Sequence, residues 1–299
     1  HRYMQDSKKI LAVGSIAFDS IKTPNGDRDT ILGGSCTYFS VAASHYANVS
    51  IIGVVGDDFK EEQWNLFKKY NINTKSVEVK PGKTFSWGGE YNHDYSYRET
   101  LFTELGVFEN FKPTINENFN QPILYLGNIQ PELQFDVINK VQSPHLIVAD
   151  SMNLWIDLFP NQVWELIEKV DIFMLNDEEA IQLTGKDNLE EISQDFLKIG
   201  PKIVIIKKGG DGSLIAYDNK ISYVSVVPNT PVYDPTGAGD SFAGGIVGYI
   251  ANHGLNDPVK AVMHGTAIAS YTVSGFGLEE LCKMSKDDLN QKINQITFK

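Results

Sequence analysis

The stretch Asp234-Pro-Thr-Gly-Ala-Gly-Asp-Ser-Phe-Ala-Gly-Gly245 holds the residue types that phosphoryl transfer needs, in an order that can use them. A Pro-stiffened turn passes through Gly237 and Gly239 and becomes a run of small and apolar residues, Phe242 to Ile250, long enough for a buried helix. The N–H groups at a helix start have no intrahelical partner and sit at the positive end of the macrodipole, so a glycine-lined entry lets an anion approach them closely. Asp240 falls in the same turn, where a carboxylate beside a bound phosphate can accept a proton from an attacking hydroxyl. The same letters also describe an ordinary glycine turn with a first-turn acid favoured by the dipole, so other stretches must decide between the two.

Several apolar runs end in polar residues of the right kind. Ile10 to Val13 reads as a buried strand with Asp19 shortly beyond it, where a carboxylate can bind polyol hydroxyls or serve as a simple turn acid. Gly33-Gly34 feeds a helix of small residues and would let a ligand reach the backbone. The run His145 to Ala149 ends at Asp150-Ser-Met-Asn153, and Ile172 to Leu175 ends at Asn176-Asp-Glu-Glu179. Asn176 and Glu179 stand three apart at a helix start and can face one site, where hard oxygen ligands suit Mg²⁺ held through its waters. The local alternative is a capping box, Asn176 as N-cap and Glu179 as its acid. Lys207-Lys-Gly-Gly-Asp-Gly212 follows one more strand, Lys202 to Ile206, as a cationic glycine loop fit for phosphate.

The elements that must position these groups alternate strand and helix along most of the chain, from Ile51–Val55 and the helix opening at Gly56-Asp57-Asp58 to helices near 257–273 and 286–296. Residues 84–100 differ in kind, being aromatic and polar and poor in Leu, Val and Ile. They read as short strands forming a lid, with Trp87 and Tyr91 or Tyr95 able to stack on an acceptor, or as a surface hairpin with cross-strand aromatic pairs. No repeat, low-complexity tract or long linker interrupts the chain, which predicts one α/β domain over residues 1–299 rather than two.

At 299 residues and 42% apolar composition the chain can bury a full core, and its net charge of −12 argues against nucleic acid or an anionic membrane as partner. Cys36 and Cys282 give no disulfide framework, and His1 to Lys9 is too polar and short for a signal segment or a span, so a soluble cytoplasmic protein is expected. His1-Arg2-Tyr3 ahead of Met4 reads as a cloning remnant. A Rossmann oxidoreductase is disfavoured because Gly14-Ser-Ile-Ala-Phe-Asp19 carries no GxGxxG, and no P-loop motif is present. A non-catalytic binder of the same fold would not need Asp240.

With GGSCTYFSVAAS, NDEEA, KKGGDGS and DPTGAGDSFAGG in this order, the chain resembles the ribokinase-like, PfkB-type family of carbohydrate and nucleoside kinases over nearly its whole length. The resemblance implies a three-layer α/β/α sandwich around a largely parallel sheet, with a β-lid from about 15–32 and 84–105. It implies Asp240 as general base, Gly237, Ala238, Gly239 and Asp240 as anion hole, and Asn176 and Glu179 serving phosphate and Mg²⁺. It places Asp19, Gly33, Gly34 and Asn153 on the acceptor side, Lys207, Gly209 and Gly212 on the nucleotide side, and His264 near the adenine. ATP and Mg²⁺ are the implied cofactors. Asp234 and Thr236 match positions that hold a monovalent cation, K⁺, in some members, and a homodimer through the lid is compatible with the family. Two departures stand out. Tyr38 in GGSCTYFS replaces the Asn of a GGKGAN-like run, which argues against ribose, and Lys207 stands where many members carry Thr. A sugar-like acceptor is the first expectation, and a nucleoside is the alternative that Tyr38 and the aromatic lid favour.

Overall fold

Strands buried on both faces need no polar alternation, and the central apolar runs of this chain show the consequence. In β1 (Ile10–Val13), Ile10 and Ala12 point into one hydrophobic cluster while Leu11 and Val13 point into the other. The same split holds in β10 (Ile172–Asn176) and β11 (Ile203–Lys207). The computed structural model describes residues 8–299, so the His1-Arg2-Tyr3 segment lies outside the described residues.

These strands belong to a nine-stranded sheet with β4 (Val49–Gly56), β5 (Asn73–Lys80), β8 (Ile123–Leu126), β9 (Leu146–Asp150), β12 (Ser213–Tyr217) and β13 (Lys220–Val224), in the order β13-β12-β11-β10-β9-β8-β1-β4-β5. All neighbours from β5 to β11 pair parallel, and only β12 and β13 are antiparallel. The helices Ser35–Ser44, Ala238–His253 and Pro258–Val273 contribute to the cluster on one face. Pro131–Lys140, Pro160–Lys169, Asp177–Thr184 and Leu189–Leu197 cover the other. The expected three-layer α/β/α sandwich is therefore present. β5 is an element the sequence did not announce: its Thr74-Lys75-Ser76-Val77-Glu78-Val79 alternates weakly at a sheet edge, where one side of the strand needs little apolar surface.

The chain leaves β1 toward β4 on one side, and β8 then joins β1 on the other, so the strand order reverses between β1 and β8. In open parallel sheets ligands bind at the carboxyl ends of strands beside such a reversal. Over that end lies a second sheet in the order β3-β2-β6-β7, from β2 (Ala17–Thr23), β3 (Gly26–Gly33), β6 (Phe85–Tyr91) and β7 (Arg98–Glu104). This is the lid expected from 15–32 and 84–105. Contacts hold it down: Tyr95 donates its hydroxyl to the Tyr233 carbonyl at 2.8 Å, Asn25 Nδ2 donates to the Val232 carbonyl at 3.0 Å, and the Tyr91 hydroxyl meets Thr236 Oγ1 at 2.9 Å.

Candidate active site

The helix Ala238–His253 aims the site, and its own glycines fix where it lies. A Cβ on Gly244 would stand 2.5 Å from the Phe39 carbonyl oxygen, and one on Gly245 would stand 2.8 Å from Gly265 Cα. Larger residues there would push the helix off both neighbours. At its start, Gly237 adopts φ +81°, a left-handed conformation costly for other residues, and a Cβ there would overlap the Tyr38 ring at 2.4 Å. The chain thus turns sharply on the aromatic floor before the helix begins. Ala238 N–H bonds to the Pro235 carbonyl and Ser241 N–H to Gly237, whereas the Gly239 and Asp240 N–H groups find no partner among the described residues. Those two donors, at the head of a sixteen-residue helix, leave a turn that can take an anion.

The Asp240 carboxylate takes part in no hydrogen bond among the described residues, so nothing competes with an incoming hydroxyl for it. Burial, with Asp150 adding repulsion and Lys207 opposing it, pushes its pKa up to about 7. A base poised near neutrality suits general catalysis. Lys207, at the end of β11, places its Nζ 3.6 Å from where a Cβ on Gly239 would stand. Burial disfavours its ammonium, but Asp150, Glu179 and Asp240 together hold its pKa above the ordinary value.

Asn176 and Glu179 form a reciprocal capping box: Glu179 N–H donates to Asn176 Oδ1 at 2.7 Å, and Asn176 N–H donates to Glu179 Oε1 at 2.9 Å. The capping role read from the sequence is thus realised, and Glu179 keeps a second carboxylate oxygen. Glu179 is 7% exposed and burial raises its pKa to about 7, against its capping bond and Lys207. No group of three or more His, Cys, Asp or Glu residues that could hold a metal lies among the described residues. The oxygen donors here fit a hard cation held mainly by phosphates and waters rather than by a protein cage.

On the lid strands, Asp19 is 4% exposed, and its carboxylate fills the space a Cβ on Gly33 would need, which is why that position is glycine. Gly34 passes so close to Ser15 that a Cβ would lie 2.5 Å from the Ser15 carbonyl oxygen. Reciprocal bonds lock this junction: Ser15 N–H to Ser35 Oγ and Ser35 N–H to Ser15 Oγ, both 3.0 Å. Burial, then Asp234 and Asp240, push the Asp19 pKa up to about 7. The β2–β6 register sets Asp19 beside Trp87, and Arg98 lies 5.0 Å from the centre of the Trp87 ring. The Tyr38 hydroxyl is buried with no partner among the described residues, as is that of Tyr125 on β8. Both are donors facing carboxylates, Asp19 and Asp234 for the first and Asp150 and Asp240 for the second.

Asp234 is 1% exposed and accepts from Thr236 N–H at 3.0 Å and Gly277 N–H at 3.4 Å. Burial still leaves its pKa raised, as expected for a carboxylate that no cation among the described residues offsets. Beyond the anion turn opens a cleft of about 680 Å³, lined by Lys207, Gly209, Gly212, Pro228, Ala238, Gly239, Thr266 and Ala269 among others.

Two expected residues lie apart from these groups. His264 does not line the cleft: its Nδ1 meets the Tyr46 hydroxyl at 2.8 Å, and its ring packs on Tyr249 at 4.6 Å, where burial lowers its pKa to about 4. Thr266 and Ala269, on the opposite side of the same helix, line the cleft instead. Asn153 opens a short helix beside Glu179 and Gln182, and no hydrogen bond among the described residues joins it to Asp19, Gly33 or Gly34. The residue that sequence reasoning passed over is Asp150, whose two carboxylate oxygens each lie 3.2 Å from Lys207 Nζ. Its signal was present, an acid ending an apolar strand, but its partner is 57 residues away.

A doubly wound sheet, an open helix start at its switch point and an unpaired carboxylate in the first helical turn define a kinase that transfers a phosphoryl group to an alcohol. Residues 9–284 match the pfkB family carbohydrate kinase model, and the chain belongs to that family. It is 26% identical over 259 residues to the cytidine kinase of Thermococcus kodakarensis, covering 84% of this chain and 92% of the relative. It is also 26% identical over 290 residues to the nucleoside kinase of Methanocaldococcus jannaschii, covering 91% and 92%. The crystal structure of the M. jannaschii nucleoside kinase, described as an archaeal member of the ribokinase family, superposes with a TM-score of 0.80 at 23% identity, over 97% of this chain and 99% of that one. A putative ribokinase II from E. coli in complex with ATP and Mg²⁺ gives a TM-score of 0.77 at 18% identity, over 96% and 99%. Among the described residues no helix is long and apolar enough to cross a membrane.

Proposed function

We propose that this protein is an ATP-dependent nucleoside kinase. The observation that carries the proposal is the unpartnered Asp240 carboxylate beside the free N–H groups of Gly239 and Asp240. Asp240 takes the proton of the acceptor hydroxyl as its oxygen attacks the γ-phosphorus of ATP. The bond to the bridging oxygen breaks, ADP leaves, and the phosphoryl oxygens rest on the turn from Gly237 to Asp240. The cleft beside Gly209 and Gly212 takes the nucleotide, its partly apolar wall suiting a base and its glycines letting phosphates near the backbone. Glu179, fixed by its bonds with Asn176, would hold Mg²⁺ through the ion's waters, and the ion would supply positive charge to the phosphates. A K⁺ ion beside Asp234 and Thr236 would relieve the buried carboxylate.

A nucleoside rather than a free sugar is favoured by the two relatives that act on nucleosides and by the pairing of Asp19 with Trp87 within the lid. A carboxylate for ribose hydroxyls next to an aromatic face for a base fits both halves of such an acceptor. The sugar-first expectation from the sequence gives way to its alternative on these grounds. ADP release measured across nucleosides, hexoses, pentoses and keto-acid sugars tests the proposal. Turnover with a nucleoside at a kcat/KM at least tenfold above any free sugar is expected, and a free sugar leading the panel would overturn the assignment.

A further inference from the structure

We infer that Asp150 is a positioning residue for phosphoryl transfer: it holds the Lys207 ammonium at the mouth of the Gly237–Asp240 turn and keeps it off the catalytic carboxylate. Asp150 ends β9 and Lys207 ends β11, so the lysine reaches back across the end of β10 to be held. Both carboxylate oxygens lie 3.2 Å from Nζ, and Ser151 N–H donates to Asp150 Oδ1 at 2.9 Å, which fixes the carboxylate from its own chain. The side chains are 12% and 20% exposed, so water screens the pair little.

Lys207 has other places to go. Glu179 and Asp240 both act on its charge, and an ammonium on a flexible stem would pair with either if Asp150 were absent. A lysine on Asp240 would occupy the base with the very cation meant for the phosphoryl group. Held by Asp150, Nζ stands 3.6 Å from where a Cβ on Gly239 would be, beside the two free N–H groups, while the Asp240 oxygens stay open. The cation and the helix start then converge on one point, the arrangement that stabilises charge on a transferring phosphoryl.

The inference rests on the kinase reading, and its test separates the two. Steady-state rates with ATP and the leading nucleoside are measured for the wild type, Asp150→Asn, Lys207→Ala and the double variant, each at several pH values and Mg²⁺ concentrations. Each single variant should lose about 10–100-fold in kcat, as removal of an orienting partner typically does, with the nucleoside KM changed less than threefold. The double variant should fall no lower than the worse single one, because both act through one cation. Asp150→Asn should also move the acid limb of the kcat profile to lower pH, through the lost repulsion and the shift of Lys207 onto Asp240, whereas Lys207→Ala, which removes the opposing cation, should move it to higher pH. The double variant should move it less than Asp150→Asn, since only the single variant keeps a lysine to relocate. The other ionisable groups facing Asp240, namely Asp19 in the lid, Cys36 and Tyr38 on the Ser35–Ser44 helix and Tyr125 on β8, are unchanged in every variant. Multiplying losses in the double variant, an unmoved acid limb, or full recovery of Asp150→Asn at high Mg²⁺ would each overturn the inference, the last making Asp150 a metal group. Calorimetric affinities for a non-hydrolysable ATP analogue and for ADP give a readout free of the acceptor. Both single variants should lose the preference for the triphosphate, and a retained preference refutes the clamp. If the wild type phosphorylates no nucleoside, the function proposal fails and this affinity ratio still decides the clamp.

Discussion

Replacing Asp240 by Asn should nearly abolish turnover and at the same time make the protein more stable above neutral pH. The two effects have one cause. The folded protein holds the Asp240 carboxyl at a pKa of about 7 against an ordinary 3.8, chiefly through burial. Between those values the folded state binds a proton that the unfolded state has released, so stability falls as pH rises from about 4 to about 7, and the full cost is present above 7. The upper bound on that cost is on the order of 4 kcal/mol. Asn keeps the size and cannot ionise, and because the wild-type carboxylate has no hydrogen-bond partner among the described residues, the swap breaks no bond there. Catalysis runs the other way: a lost general base costs about 10²–10⁴-fold in kcat, with ATP affinity little changed. The assay pairs thermal melting at pH 4.5 and pH 8 with kcat and calorimetric ATP binding. A higher melting temperature at pH 8 with little change at pH 4.5, together with the collapsed kcat, is expected. Near-normal kcat in a folded variant would refute the base assignment, and equal melting shifts at both pH values would refute the burial argument.

In the wild type, kcat/KM should fall at least tenfold per pH unit below about pH 7 as Asp240, Asp19 and Glu179 take up protons, and a flat profile from pH 5.5 to 7.5 would remove Asp240 from the proton path. Gly237→Ala should lose at least tenfold in kcat and melt at lower temperature, because φ +81° and a Cβ 2.4 Å from the Tyr38 ring force the turn to move; unchanged kinetics would mean the turn does not bind the phosphoryl group. Glu179→Gln keeps a capping side chain, so its melting should be close to wild type while the Mg²⁺ concentration for half-maximal rate rises several-fold; a superimposable Mg²⁺ titration would leave Glu179 as a cap alone. Amide exchange across residues 84–105 should slow when the acceptor binds, since Tyr91 and Tyr95 tie this lid to the 233–236 turn by only a few hydrogen bonds, and equal exchange with and without acceptor would make it a fixed hairpin.

Local chemistry was legible wherever a function needs several adjacent residues. Gly237, Gly239 and Asp240 announce themselves because a left-handed turn, a close backbone approach and a first-turn acid sit within four positions. Asn176 and Glu179 were legible as a capping box for the same reason, and the structure realises it. The sheet was legible because strands buried on both faces are unbroken apolar runs, whereas β5, half-exposed at an edge, has no such run. What failed was what depends on spatial neighbours distant in sequence. Asp150 looks like any strand-end acid until β11 brings Lys207 beside it. His264 sits two residues from Thr266, which lines the cleft, but two residues of helix rotate a side chain to nearly the opposite face. Asn153 follows a strand end as Asp19 does, and its contacts are with Glu179 and Gln182, which the sequence spacing does not announce.

The central claim is that Asp240 directs a phosphoryl group from ATP onto a nucleoside hydroxyl. The most direct measurement incubates the protein with γ-labelled ATP, Mg²⁺, K⁺ and a mixture of nucleosides and free sugars, then resolves the labelled products by mass. The account predicts label in a nucleoside monophosphate, and none above background with Asp240→Asn. Label confined to a sugar phosphate or to inorganic phosphate, or unchanged nucleoside labelling by Asp240→Asn, would contradict it.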